Sequence, residues 1–137
     1  MSLELYVFVS ALPERARWQV AVDEISVDLK LDPDMNLATD SGFSPCQLGG
    51  RASGFEIYLG EASEMVKASP SLASVVGARP HVICFRWGGD FAECACVLAA
   101  SLALVRAFGA TAYDPAEGVV ADEAALEGDL RQCLAEI

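Results

Sequence analysis

This sequence predicts a two-layer α+β architecture: a mixed, largely antiparallel sheet with helices gathered on one face. Three observations carry that expectation. Leu3, Leu5, Val7 and Val9 alternate with Glu4, Tyr6, Phe8 and Ser10, the period of two that marks a strand. Pro80 to Trp87 is a β-branched and aromatic run, broken by Gly88 and Gly89 and followed by an apolar run from Phe91 to Phe108. Strand-like and helix-like segments then alternate irregularly, with no internal repeat and no low-complexity linker, so residues 1–137 read as one domain.

In chain order, Leu3–Ser10 carries large apolar groups on both sides, which predicts an interior strand. Pro13 fits the first turn of a helix. Trp18, Ala21, Val22 and Ile25 then fall on one helical stripe, with Glu14, Arg15, Asp23 and Glu24 on the other side. Val27 to Leu31 alternates as a second strand. From Asp32 to Ser53 the pattern dissolves: Pro33, Gly42, Pro45, Gly49 and Gly50 mark turns, with Phe43 to Leu48 a candidate short strand. Gly54 to Leu59 is a clearer strand, with Phe55, Ile57 and Leu59 on one face and Glu56 and Tyr58 on the other. Glu61 to Lys67 fits a short helix ended by Ser69-Pro70, and Leu72 to Val76 has no assignment.

The apolar helix opens on Asp90, whose carboxylate can accept first-turn amides, with Glu93 placed three residues on as in a capping box. Gly109 closes it. Thr111 to Asp114 reads as a strand and Asp114–Gly118 as a turn into Val119-Val120. Asp122 is a candidate cap for a last helix, with Leu126, Leu130, Cys133 or Leu134, and Ile137 at helical spacing. This order fits a ferredoxin-like core with a loop-rich insertion at 32–53 and a C-terminal helix.

The formal net charge is −11, and no Lys/Arg cluster exists for nucleic acid or an anionic membrane surface. An acidic domain of this kind suits a basic protein partner, or simply solubility. The Phe91–Phe108 run contains Glu93 and Arg106, is rich in alanine, and only just reaches the ~20 residues of a membrane span, so a helix packed on a sheet is expected. Five cysteines form no disulfide framework, and the N-terminus leads directly into a strand, which points to the cytoplasm.

Catalytic and metal patterns are missing. Cys94 and Cys96 point about 200° apart on a helix, and neither a Cys-x-x-Cys nor a His pair exists, so no metal or cofactor is expected. The lone histidine, His81, gives a thiol or hydroxyl nucleophile no established base. Asp32-Pro33-Asp34-Met35-Asn36 begins like a calcium loop but has Leu37 and Phe43 where glycine and glutamate are required. Gly88-Gly89-Asp90 lacks the Lys and Ser/Thr of a phosphate loop. The balance points away from an enzyme.

What remains is surface. With helices on the Leu3/Leu5/Val7/Val9 side, the opposite sheet face presents Tyr6, Phe8, Glu56, Tyr58 and Arg86, an aromatic and charged mix typical of protein interfaces. The inserted loop could instead fold over this face. Glu117 to Glu136 holds six acids and one base, and Asp122, Glu123, Glu127 and Asp129 are its candidate contacts for a basic partner.

Gly42-Phe43-Ser44-Pro45-Cys46-Gln47-Leu48 with Ser53–Tyr58, together with the Ala-rich helix running into Gly109–Gly118, resembles small bacterial α+β proteins, uncharacterised in function. Some of these are similar to immunity proteins encoded beside polymorphic toxins. The resemblance implies a cytoplasmic inhibitor that binds a cognate toxin, and it brings no catalytic residues. Two other readings stand beside it. One is a small-molecule or enzymatic domain with a pocket between the open face and the 32–53 insertion, using Glu56, Tyr58 and Arg86. The other is a homodimer joined by that face.

Overall fold

The structure, a computed structural model, describes residues 3–137. In chain order the elements are β1 (Leu3–Val9), α1 (Arg15–Asp23), β2 (Leu29–Leu31), β3 (Gly42–Leu48), β4 (Arg51–Glu61), α2 (Ala62–Ala68) and a 3-10 turn (Pro70–Leu72). They continue with α3 (Ala73–Val76), β5 (His81–Trp87), α4 (Phe91–Phe108), β6 (Thr111–Asp114), β7 (Val119–Ala121) and α5 (Glu123–Ala135). The seven strands form one sheet in the order β2-β3-β4-β5-β1-β6-β7, with every pairing antiparallel. The inner run β4-β5-β1-β6 is the ferredoxin-like order, widened by β2-β3 at one edge and by β7 at the other.

α1, α4 and α5 lie on the face that carries Leu5, Val7 and Val9, with Phe55, Ile57, Ile83 and Phe85 completing the core. α4 sits between α1 and α5. Small side chains such as Ala95, Ala99 and Ala103 let its backbone lie close over the sheet, and everything from Ala95 to Leu104 is buried. Trp18 from α1 fills the space beside it, fully buried, with its indole N–H donating to the Ala100 carbonyl at 3.0 Å and its ring edge-on to Phe85 at 6.1 Å. Asp90 caps α4 by accepting from the Ala92 and Glu93 amides at 2.7 and 3.2 Å, and Gly109 ends it in the left-handed region at φ 63°. Glu93 reaches back to the Gly88 amide, two residues before the cap, so the box is wider than the usual form. α4 is long and apolar enough to cross a membrane by length and composition; here it is the central helix of the packed layer.

Several boundaries differ from the sequence expectation for identifiable reasons. Pro13 precedes α1 and lies outside its first turn, since Glu14 is the flanking residue. Pro45, read as a turn marker, is inside β3: the three-residue β2 reaches only Cys46, so the neighbouring edge is open where Pro45 has no amide to offer. Gly49 and Gly50, both at positive φ, supply the two-residue hairpin that joins β3 to β4. β2 is an outer edge, and the Gln19 amide covers it: Nε2 donates to the Leu29 carbonyl at 2.8 Å and Oε1 accepts from the Leu31 amide at 2.7 Å.

The second face is not fully open. α2, the 3-10 turn and α3 cover one end of it, burying Phe8 and Val82 beneath Ala62, Leu72 and Val76. The previously unassigned Leu72–Val76 run is therefore the lid of a small second core. The 32–53 insertion does not cover this face. Met35 and Leu37 tuck it into the main core on the helical side, and from Gly42 on it becomes β3, the Gly49-Gly50 hairpin and the start of β4.

Candidate functional site

The pairing register assembles the uncovered part of the second face from residues far apart in sequence. Glu4 on β1, Arg86 on β5 and Glu56 on β4 stand in one row across three strands. The next row holds Val120, Tyr113, Tyr6, Cys84 and Tyr58 across β7, β6, β1, β5 and β4. Opposed residues of an antiparallel pair project to the same face, so both rows look outward together. Tyr6, Tyr58 and Tyr113 are half-buried, and Val120 is exposed. Phe43 extends the first row opposite Glu56 and is 66% exposed. Its ring lies over Gly54, where an added Cβ would meet the ring at 2.3 Å, so glycine is required for that stacking.

Four of the polar groups in these rows, Glu4, Arg86, Glu56 and Tyr58, satisfy one another in pairs. The Arg86 guanidinium pairs with Glu4, its Nε donating to Oε1 at 3.0 Å, and lies 5.8 Å from the centroid of the Tyr58 ring. The Tyr58 hydroxyl donates to Glu56 Oε1 at 2.5 Å. That bond to a carboxylate raises the Tyr58 phenol above its ordinary range, whereas burial and then Glu4 raise that of Tyr6. Burial, followed by Glu4, pushes the Cys84 thiol up to about 11. At neutral pH the centre of the face therefore holds protonated phenols and a protonated thiol, which suits it for contact and hydrogen bonding.

Of the residues singled out from sequence, Tyr6, Glu56, Tyr58 and Arg86 come together as one patch, with Tyr113, Phe43 and Cys84 added by the register. Phe8 does not join them. It shares their strand parity, but its row lies beneath α2 and α3, and it is a core residue. The pocket anticipated between this face and the insertion is a shallow hollow of ≈270 Å³, in which Phe43, Glu56 and Arg86 take part and Tyr58 does not. Its volume is below the usual range for a ligand site, about 300 Å³ or more.

The acidic residues of α5 have internal tasks. Asp122 is the cap, its carboxylate accepting from the Ala125 amide at 2.8 Å. Glu123 and Glu127 both grip Arg106 of α4, at 2.6 and 2.8 Å, and fix α5 against it. Asp129 alone of the four makes no hydrogen bond or ion pair among the described residues, and it lines a separate cleft. Asp122, Glu123 and Asp129 are exposed, as expected of candidate contacts, and Glu127 is half-buried; three of the four also hold their own fold together.

That cleft escaped the sequence reading because five segments build it. It measures ≈550 Å³ and opens between the start of β1, Trp87 at the end of β5, the first turns of α4, the β6–β7 turn and α5. Two sequence signals pointed toward it: the acidic surplus after Glu117, and Phe91, a large apolar residue beside a helix cap that is 48% exposed. Cys94 and Cys133 meet in its wall with their sulfurs 3.0 Å apart, and burial, then the bond to Cys133, raises the Cys94 thiol to about 12. Among the described residues no group of three or more His, Cys, Asp or Glu is placed to hold a metal ion. No family model, curated protein or solved structure matches this chain.

Proposed function

We propose that this chain is a non-enzymatic, acidic protein-binding module that docks a basic partner on the uncovered part of its sheet face. The observation that carries the reading is the patch formed by Tyr6, Tyr58, Tyr113 and Phe43 around the Glu4–Arg86–Glu56 row. Tyrosine and arginine are the residue types that most often anchor interfaces, and a strand face holds them in fixed positions. The titratable groups there are pushed away from neutrality, which favours binding over acid–base chemistry. Among the described residues, Asp23, Glu64, Glu4, Glu123 and Glu127 are the ones of the twenty acidic residues that enter ion pairs, so most of the negative charge is left to steer a basic protein. The five free thiols suit a reducing compartment such as the cytoplasm. The resemblance noted above gives the reading its most specific form, an immunity-type inhibitor of a bacterial toxin.

The test compares capture by the tagged protein with capture by a Phe43→Ser/Tyr58→Ala/Arg86→Glu variant, using lysate of the native organism at low and high salt. The expected result is one basic protein, retained at low salt, released at high salt, and lost by the face variant but not by Asp129→Asn. Equal capture by the wild-type protein and the face variant refutes the assignment to this face. Light scattering supplies the counter-case: a wild-type dimer that becomes a monomer in the face variant replaces the foreign partner with a second copy of the chain.

A further inference from the structure

We propose that the cleft between α4, α5 and the β6–β7 turn is a binding site for a small amphipathic organic cation, independent of the tyrosine face. The floor is apolar: Leu5, Trp87, Leu98 and Leu126 line it, and Phe91 stands among the walls. The rim is acidic. Asp114, Glu117 and Asp129 line it, and neither lysine nor arginine does. Asp114 spends one oxygen on the Ala116 and Glu117 amides, at 2.9 and 3.3 Å, which orients its carboxylate without neutralising it. The remaining acid of the lining, Glu4, is committed to Arg86.

The second, independent observation is Trp87. Its side chain is 8% exposed and its indole N–H has no hydrogen-bond partner among the described residues. It lies near the Cys94 sulfur, itself part of the cleft wall, without reaching hydrogen-bond geometry. A buried donor left unpaired is costly, and since the nitrogen itself is shielded from solvent, a ligand oxygen would satisfy it by moving the Cys94 side chain aside. Trp18, the other tryptophan, spends its N–H on the Ala100 carbonyl, so the orphaned indole is that of Trp87, which lines this cleft as well as the smaller hollow beside Phe43. Taken together, these features specify an apolar group for the floor, an ammonium for the carboxylates and an acceptor oxygen for Trp87. The volume is that of an ordinary small-molecule site.

The probe is phenylalaninamide, which carries a phenyl group, an ammonium and a carbonyl. N-acetylphenylalaninamide removes the charge, and phenethylamine removes the carbonyl. The indole N–H resonances of Trp18 and Trp87, assigned through Trp87→Phe, report site by site. Phenylalaninamide is expected to move the Trp87 resonance saturably and leave Trp18 in place. The acetylated probe should bind about tenfold more weakly to the wild-type protein, and phenylalaninamide should lose a similar factor on the Glu117→Gln/Asp129→Asn variant. Phenethylamine should bind without the Trp87 shift. The two substitutions are close in shape and lie at the surface, and a thermal melt confirms that the variant folds. Equal binding of the charged and acetylated probes, or a response confined to other resonances, overturns the proposal. Because this readout uses no protein partner and no residue of the tyrosine patch, it stands or falls separately from the function proposed above.

Discussion

Ser101 in the middle of α4 is fully buried, and its hydroxyl has no hydrogen-bond partner among the described residues. Ser101→Ala tests what that costs. A buried hydroxyl without a partner forfeits its hydration, a penalty of about 1–3 kcal/mol. Alanine adds a gain of about 0.5 kcal/mol in helix propensity. Against this stands the dispersion lost with one oxygen in a packed layer, on the order of a few tenths of a kcal/mol. The balance is a stabilisation of about 1–3 kcal/mol, equivalent to a rise in melting temperature of about 4–10 °C for a chain of this size. Urea unfolding followed by tryptophan fluorescence is the direct assay, because Trp18 donates to the carbonyl of Ala100, the adjacent residue. An unchanged m-value with a higher midpoint is the expected result. A lower midpoint would refute the reasoning, since it would mean that the hydroxyl is satisfied by its own helix or by a buried water.

Two further outcomes follow from the caps and the thiols. Asp90→Ala and Asp122→Ala should each destabilise by about 1 kcal/mol in denaturant unfolding, whereas Asn at either site should retain most of the stability because it caps as well as Asp; equal losses for Asn and Ala would assign the effect to charge. Stability should also fall in alkali: Cys84, raised from 9.0 to about 11, and Cys94, raised from 9.0 to about 12, keep their protons in the folded state after the unfolded chain has released them. That contribution is complete below pH 9 and is lost as pH rises through the folded values. A Cys84→Ser/Cys94→Ser variant should show a shallower decline above pH 9, and an unchanged slope would remove the thiols as its cause.

The parts of this fold legible in sequence are those set by neighbours a few residues apart. The alternation of Leu3–Val9, the Asp90 cap and the Gly109 stop each answer to local geometry, and the structure keeps them. The same alternation correctly put Tyr6, Glu56, Tyr58 and Arg86 on one face, because strand parity is also local. Parity cannot say which row of a face is covered, and Phe8 shows the consequence: it sits one row from Tyr6 beneath a lid whose residues begin more than fifty positions later. Pro45 shows the converse. Its turn signal is real, but the short reach of β2 makes a proline harmless inside β3. The Arg106 pairs with Glu123 and Glu127 span two helices, so no reading of α5 alone could distinguish those carboxylates from free ones.

The charges also sort along the strand order, which no local count displays. Toward the β2–β4 edge, Arg15, Lys30 and Asp32 line a cavity of ≈490 Å³ between α1 and the hairpin, and Arg51 begins β4 beside it. Arg15 and Arg51 enter no ion pair among the described residues. At the opposite edge, Asp114, Glu117 and Asp129 gather without a cation. A net charge of −11 therefore does not act as a uniform negative surface. The basic partner proposed above would be drawn first to the β6–β7 and α5 edge, where no lysine or arginine interrupts the carboxylates that line the cleft. From that edge the exposed Val120 and the row running from Tyr113 through Tyr6 to Tyr58 lead onto the uncovered face. Steering of this kind would raise the association rate and fall off within a screening length of about 10 Å at moderate salt, whereas in the proposed complex the aromatic contacts would govern its lifetime.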